Sequence, residues 1–307
     1  MQSILVTGGA GFIGSNLTLE LQEKYPEANI VVVDDFRSGD FANLNGYRGD
    51  FVAADVSRLD WDAQFGGAKF DAIFHLASIT DTTVHDQKLQ THDNVEGFRK
   101  LLDFAKGQRM PVVYASSAAT YGIAAELMVE DQTPAPANIY AFSKVQLDNL
   151  ARRYAVEYPD WMIVGLRYFN VYGPNEVHKL KAASMIYQLY TQMKNGKRPR
   201  VFTAGEQKRD FVYIKDVVAM TIKAAHATSS TILNCGSGKP FSFNQVIAEL
   251  NKHLGLSLET EYIENPYAFY QPHTEADMTQ AKAILNHCPQ FTPEEGIRDY
   301  VSYLESR

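Results

Sequence analysis

The stretch at residues 7–14, TGGAGFIG, constrains this chain more than any other. It follows the apolar run Ile4, Leu5, Val6 and leads into a helical pattern at 15–21. Gly9, Gly11 and Gly14 spell G-x-G-x-x-G, and Gly8, Gly11 and Gly14 are the glycines expected to meet the cofactor. A buried strand that turns through glycines into a helix brings bare backbone close to a pyrophosphate, and the amides and dipole of the helix N-terminus face the negative charge. A glycine turn can also serve packing alone. Here a second strand follows the helix, which is the context a dinucleotide cradle requires.

Short β-branched runs at 3–7, 29–34, 51–54, 72–76, 112–115 and 163–168 alternate with helical patterns at 14–24, 91–108 and 139–158. That alternation predicts an α/β fold, a doubly wound parallel Rossmann sheet that takes ligands at the carboxyl ends of its strands. The second half changes texture, with aromatic-rich turns at 168–174, 202–213 and 262–271 between helical runs at 182–195, 217–227 and 243–254. We expect a dinucleotide-binding domain over residues 1–170, to which about 211–238 returns, and a smaller mixed α/β substrate domain over 171–307. No linker or low-complexity tract separates them, so they should pack directly together.

Composition excludes several classes of function. A net charge of -7 supplies no basic field for nucleic acid or an anionic membrane. The two cysteines, Cys235 and Cys288, form no C-x-x-C pair, and no histidines are spaced for a metal. No apolar run approaches membrane length, and no targeting pattern precedes the first strand. The expectation is a cytoplasmic, metal-free chain with no membrane partner.

At the end of the second strand, Asp34 and Asp35 suit the adenosine ribose hydroxyls of NAD, whereas Arg37 suits the 2′-phosphate of NADP. The two signals conflict. Asp55 stands at a strand end near where an adenine amino group would lie, and Leu76, Ala77 and Ser78 would line the nicotinamide side. Ser116 and Ser117 emerge at the carboxyl end of the fifth strand. Tyr140 and Lys144 follow, four apart and so on one helix face. A phenol titrates near ~10 and is a poor base at neutrality. A neighbouring ammonium and a positive nicotinamide ring would both favour the phenolate. Ser117 would then hold the substrate oxygen while Tyr140 moves its proton.

The segments TGGAGFIG, YASSAATYG, YAFSK and RYFNVYGP together resemble the extended short-chain dehydrogenase/reductase family, whose members modify sugars attached to nucleotides. The similarity spans residues 3 to about 300. His178 with Lys179, KRDFVYI at 208–214 and YAFYQPHTEAD at 267–277 resemble the branch that epimerises ADP-bound heptoses. The resemblance implies tightly held NADP, a Tyr140 and Lys144 pair, a nucleotide-sugar substrate and a cytoplasmic homo-oligomer. By the same resemblance Phe12, Ile13, Asp34, Asp35, Asn94, Lys144 and Val171 touch the cofactor, while Asn170, Arg209 and Tyr270 touch the substrate. Phe202, opening the aromatic turn, is placed with them.

Departures from the family pattern matter too. The lysine that follows the second-strand acids in relatives is replaced at best by Arg37, and Lys181 and Gln188 stand where relatives carry serine and histidine against the substrate. Sugar dehydratases need an acid after the serine strand, and this chain has Ala118, Ala119 and Thr120 there. What remains is epimerisation by oxidation and re-reduction, either of a heptose or of a ring carbon as in the 4-epimerases. A non-catalytic dinucleotide sensor would be expected to lose Tyr140 or Lys144. Inversion also presents the oxygen in a new direction, so a second proton carrier is needed. Lys179 is the candidate, with Lys181 as its competitor and a phosphate clamp as the alternative role.

Overall fold

The computed structural model describes residues 1–80, 86–123, 127–265 and 271–307. Seven strands form the main sheet: β1 (Ser3–Thr7), β2 (Asn29–Asp34), β3 (Asp50–Ala53), β4 (Ala72–His75), β5 (Val112–Ser117), β6 (Ile163–Tyr168) and β7 (Thr231–Cys235). They run in the order β7-β6-β5-β4-β1-β2-β3, every neighbouring pair parallel. The fold is a doubly wound α/β Rossmann sheet with smaller mixed sheets beside it. Burial explains the sequence pattern. All six residues of β5 and of β6 are buried, as expected where helices cover both faces of a parallel sheet.

Alternate side chains serve opposite faces. Ile4 and Val6 join Leu17 and Leu21 of α1 (Phe12–Lys24) in one core, whereas Leu5 joins Ile73, Phe98 and Leu101 in the other. The second core lies under α2 (Trp61–Phe65), α3 (Gln87–Lys106) and α4 (Ile139–Glu157). The first extends through α5 (Met185–Lys194), α6 (Ile214–Ala224) and α7 (Phe243–Leu254), then past α8 (Thr279–Leu285) to α9 (Pro293–Glu305). The two halves of the chain therefore share one core. In the second half, Lys208–Tyr213 lies between a parallel partner, Asn170–Tyr172, and an antiparallel one, Pro240–Ser242.

Some boundaries differ from the sequence pattern for local reasons. Strand β5 runs on to Ser117, carrying both serines inside the sheet. Helix α3 starts at Gln87 because the Asp86 carboxylate caps the Leu89 amide at 2.8 Å. Helix α5 starts at Met185, where the Ser184 hydroxyl caps Tyr187, and residues 177–182 form a 3₁₀ segment instead of its first turn. Helix α9, which the periodic patterns above do not include, opens with a Thr292/Glu295 capping box that is itself legible in the sequence.

Candidate active site

A cleft of about 1540 Å³ opens where the strand order reverses between β1 and β4, and the glycine turn forms its floor. Gly8 has φ +72°, and a Cβ there would lie 2.5 Å from the Ala77 amide nitrogen. A Cβ on Gly14 would collide with the Gly8 carbonyl oxygen. Gly9 is needed for another reason, since a Cβ there would lie 2.6 Å from Val32. Gly8, Gly11 and Gly14 thus face the cleft while Gly9 packs the turn on β2, which shifts the first glycine of the motif by one. Helix α1 begins at Phe12 without a side-chain cap, and Phe12 and Ile13 line the cleft. Bare backbone meeting an uncapped helix N-terminus fits the pyrophosphate of a dinucleotide. The Asp34 carboxylate ties this turn to β2 by accepting the Ala10 amide at 2.9 Å and the Phe36 amide at 2.8 Å.

Asp35, Arg37 and Asp55 line the cleft together, and carboxylates hold the arginine. Arg37 donates to Asp35 at 2.9 Å and Asp55 at 2.8 Å, and its other nitrogen bonds Asp93 on α3. A 2′-phosphate would share the guanidinium with three carboxylates. Burial pushes the Asp55 carboxyl up, but Ser57 and Arg37 outweigh it and hold the group below its ordinary range. Asp93, which sequence reasoning missed, is the immediate neighbour of Asn94 on the same helix.

Leu76, Ala77, Ser78, Asn94 and Val171, expected at the cofactor, line the cleft. Both donors of the Asn94 amide are engaged: it accepts from Ile79 N at 2.8 Å and donates to Ile79 O at 3.1 Å and Ser143 Oγ at 3.0 Å. It therefore fixes the loop after β4 against α4 and has no free donor for a ligand. The hydroxyls of Ser78 and Ser116 are buried without a protein partner among the described residues.

Below this wall, His75 is buried, stacked on Phe98 and 2.8 Å from the Thr7 hydroxyl. Burial, with Lys144 nearby, lowers its pKa from 6.5 to about 3. The folded chain keeps His75 neutral where an unfolded histidine takes a proton, so this group costs no stability above pH 6.5 and a growing amount as pH falls from 6.5 toward 3. Urea unfolding between about pH 6 and about pH 4.5 should show a slope for the native chain steeper than for His75→Asn by about 1.4 kcal/mol per pH unit. Parallel slopes would contradict the assignment.

Tyr140, Lys144 and Asp148 occupy successive turns of one face of α4. Lys144 is 2% exposed; its ammonium donates to Ala115 O at 2.8 Å and lies 5.7 Å from the Tyr140 ring centroid. Burial lowers the Lys144 pKa to about 7, opposed by Asp148, which is itself paired with Arg167 at 3.0 Å. Burial raises the Tyr140 phenol above its usual value, with the Ser117 side chain pulling it down. Lys144 is not among the groups that move the phenol in this arrangement, its ammonium being turned to the Ala115 carbonyl. Ser117 Oγ accepts the Ala119 amide at 3.1 Å, capping the turn after β5 and fixing the hydroxyl at the cleft wall.

The remaining wall comes from the second half. Asn170, Lys179, Lys181, Gln188, Phe202 and Arg209 line the cleft with Ser116, whereas Tyr270 lies outside the described residues. Gln188 donates to Ala183 O at 2.8 Å and Lys181 O at 3.2 Å, which ties α5 to the preceding loop. Lys179 sits 5.2 Å over the Phe12 ring, and its pKa is lowered by burial, opposed by Glu176. Two lysines and an arginine on one wall suit a phosphorylated ligand.

Residues 4–236 match the NAD dependent epimerase/dehydratase family. Over 100% of this chain and 97% of the other, the structure is similar to ADP-L-glycero-D-manno-heptose-6-epimerase from Helicobacter pylori, at 39% identity and a TM-score of 0.92. UDP-glucose 4-epimerase from Thermotoga maritima, solved with UDP-glucose, is similar at 28% identity and a TM-score of 0.90, with 99% of each chain covered. UDP-glucuronic acid 4-epimerase from Bacillus cereus, solved with UDP-glucuronic acid and NAD, is similar at 26% identity and a TM-score of 0.87, again with 99% of each chain covered. With its glycine turn, its cleft at the strand reversal and these likenesses, the chain belongs to the NAD dependent epimerase/dehydratase family.

Proposed function

We propose that the chain epimerises a nucleotide-activated sugar, converting ADP-D-glycero-D-manno-heptose to ADP-L-glycero-D-manno-heptose in lipopolysaccharide core biosynthesis. The observation that carries this reading is the presence, in one cleft, of Tyr140 with Lys144 on α4 and of Lys179 from a separate loop. When bound, a nicotinamide ring supplies temporary storage for a hydride. The chain's own part is to orient the sugar and manage protons. Ser117 holds the reacting hydroxyl, Tyr140 carries its proton on one face, and Lys179 serves the oxygen presented on the other. Lys144, held on the Ala115 carbonyl, stands over the Tyr140 ring. Full-length likeness to the Helicobacter pylori enzyme supports the heptose.

A ring 4-epimerase is the second reading, favoured by the two 4-epimerases that align over 99% of their chains. Turnover on ADP-heptose against UDP-hexoses separates the two, and activity on the hexoses alone would sink the heptose reading. For the cofactor, the family resemblance supports NADP, while the three carboxylates holding Arg37 support NAD. Identifying by mass the dinucleotide released on denaturation decides between them. Following the resemblance, we place the protein in the cytoplasm as a homo-oligomer.

A further inference from the structure

Glu176 has no solvent exposure, and the reaction as derived gives it no task. A buried carboxylate is costly unless hydrogen bonds compensate it, and here they join two distant points of the chain. One oxygen accepts the Gly173 amide at 3.1 Å and the Ser184 hydroxyl at 2.9 Å, and the other accepts the Ser184 amide. Gly173 and Ser184 are the two ends of the loop that carries His178, Lys179 and Lys181. A single side chain therefore closes that loop.

The loop it closes is strained. Leu180 has φ 50° and ψ -115°, a backbone region that a residue with a Cβ avoids, and it is 76% exposed. A large apolar side chain held in water on unfavourable backbone contributes nothing to stability, and such strain persists only where the surroundings over-determine it. Its neighbour Lys179 lies half-buried against Phe12 of the glycine turn. The tip is also braced there. Asn43 donates to His178 Nδ1 at 3.0 Å and to Ala10 O at 2.9 Å, and Asn16 donates to Pro174 O at 2.9 Å.

We propose that Glu176 is a positioning residue for the second proton carrier: by clamping Gly173 to Ser184 it closes the loop in the strained shape that turns Lys179 into the cleft above the glycine turn. This rests on the reading of Lys179 as a proton carrier. In Glu176→Gln the volume is kept, but an amide replaces one acceptor and opposes the Ser184 or Gly173 donors.

The test compares Glu176→Gln, Lys179→Met and the native protein, each with its resident dinucleotide. Three quantities are measured: dinucleotide content, the rate at which each of the two epimers reduces it, and amide hydrogen exchange at Gly173 and Ser184. In the oxidation of either epimer a C–H and an O–H bond break and a C=O forms, with the hydride going to the dinucleotide and the proton to Tyr140 or Lys179. In Glu176→Gln, dinucleotide content and oxidation of the epimer served by Tyr140 should hold within ~2-fold, while oxidation of the other falls at least ~10-fold and both amides exchange faster. Equal losses on both epimers, or none, would overturn the proposal and leave Glu176 a scaffold residue. If Lys179→Met shows no asymmetry, the Lys179 reading fails; if only Glu176→Gln lacks it, the Glu176 proposal fails alone. Should Glu176→Gln not fold, Ser184→Ala removes one of the three bonds together with the cap on Tyr187, and must show the same asymmetry at smaller size. A symmetric result there overturns the proposal too.

Discussion

Tyr140→Phe should lower epimerisation by at least ~10²-fold, the usual size of an acid/base loss, while fold and dinucleotide content stay unchanged. The substitution removes one oxygen from a ring that is half-buried at the cleft wall, so packing changes little. Lys144 should stay in place because its ammonium is anchored on the Ala115 carbonyl rather than on the phenol. Ser117 also keeps its bond from the Ala119 amide. What is lost is the phenol that stands beside both Ser117 and Lys144. The check is kcat on each epimer together with dinucleotide content and melting temperature. Near-normal turnover would move the proton to another group, and a loss of dinucleotide would mean that the ring positions the cofactor.

The parts of this site that were legible in the sequence depend on periodicity or on neighbours along the chain. Strands buried on both faces read as apolar runs, and Tyr140 and Lys144 share a face because a helix repeats every 3.6 residues. What was not legible depends on distant partners. The engagement of Arg37 needs Asp93, 56 positions away. The clamp made by Glu176 needs both ends of a loop to meet. Burial, which lowers the Lys144 pKa and raises that of the Tyr140 phenol, is a property of the packed cleft and of no local pattern. The motif glycines lie between these cases. The pattern G-x-G-x-x-G contains Gly9, while the fold supplies the reason why Gly8 faces the cleft, its positive φ and close approach to Ala77.

That distinction makes Gly14→Ala the substitution expected to do most damage for one added carbon. On propensity alone it should help, since alanine is favoured over glycine within a helix by about 1 kcal/mol. Against this stands the Gly8 carbonyl, which the new Cβ would strike. That carbonyl cannot turn aside freely. Gly8 donates its amide to Val33 O at 2.8 Å, its oxygen accepts the Gly11 amide at 3.2 Å, and its Cα side is pressed against the backbone at Ala77. Any shift therefore moves the loop after β4 and opens the cradle. Overpacking of this kind costs about 1–3 kcal/mol, so the clash should outweigh the propensity gain. The expected result is a lower melting temperature and purified protein without its dinucleotide. Gly107→Ala is the control. Gly107 ends α3 with φ -59° and ψ -38°, and nothing lies within 4 Å of an added Cβ. That change should stabilise by about 0.4–1 kcal/mol and leave dinucleotide content alone. If Gly14→Ala keeps its dinucleotide and melts no lower than the native protein, the close contact between Gly14 and Gly8 is not what shapes the cradle.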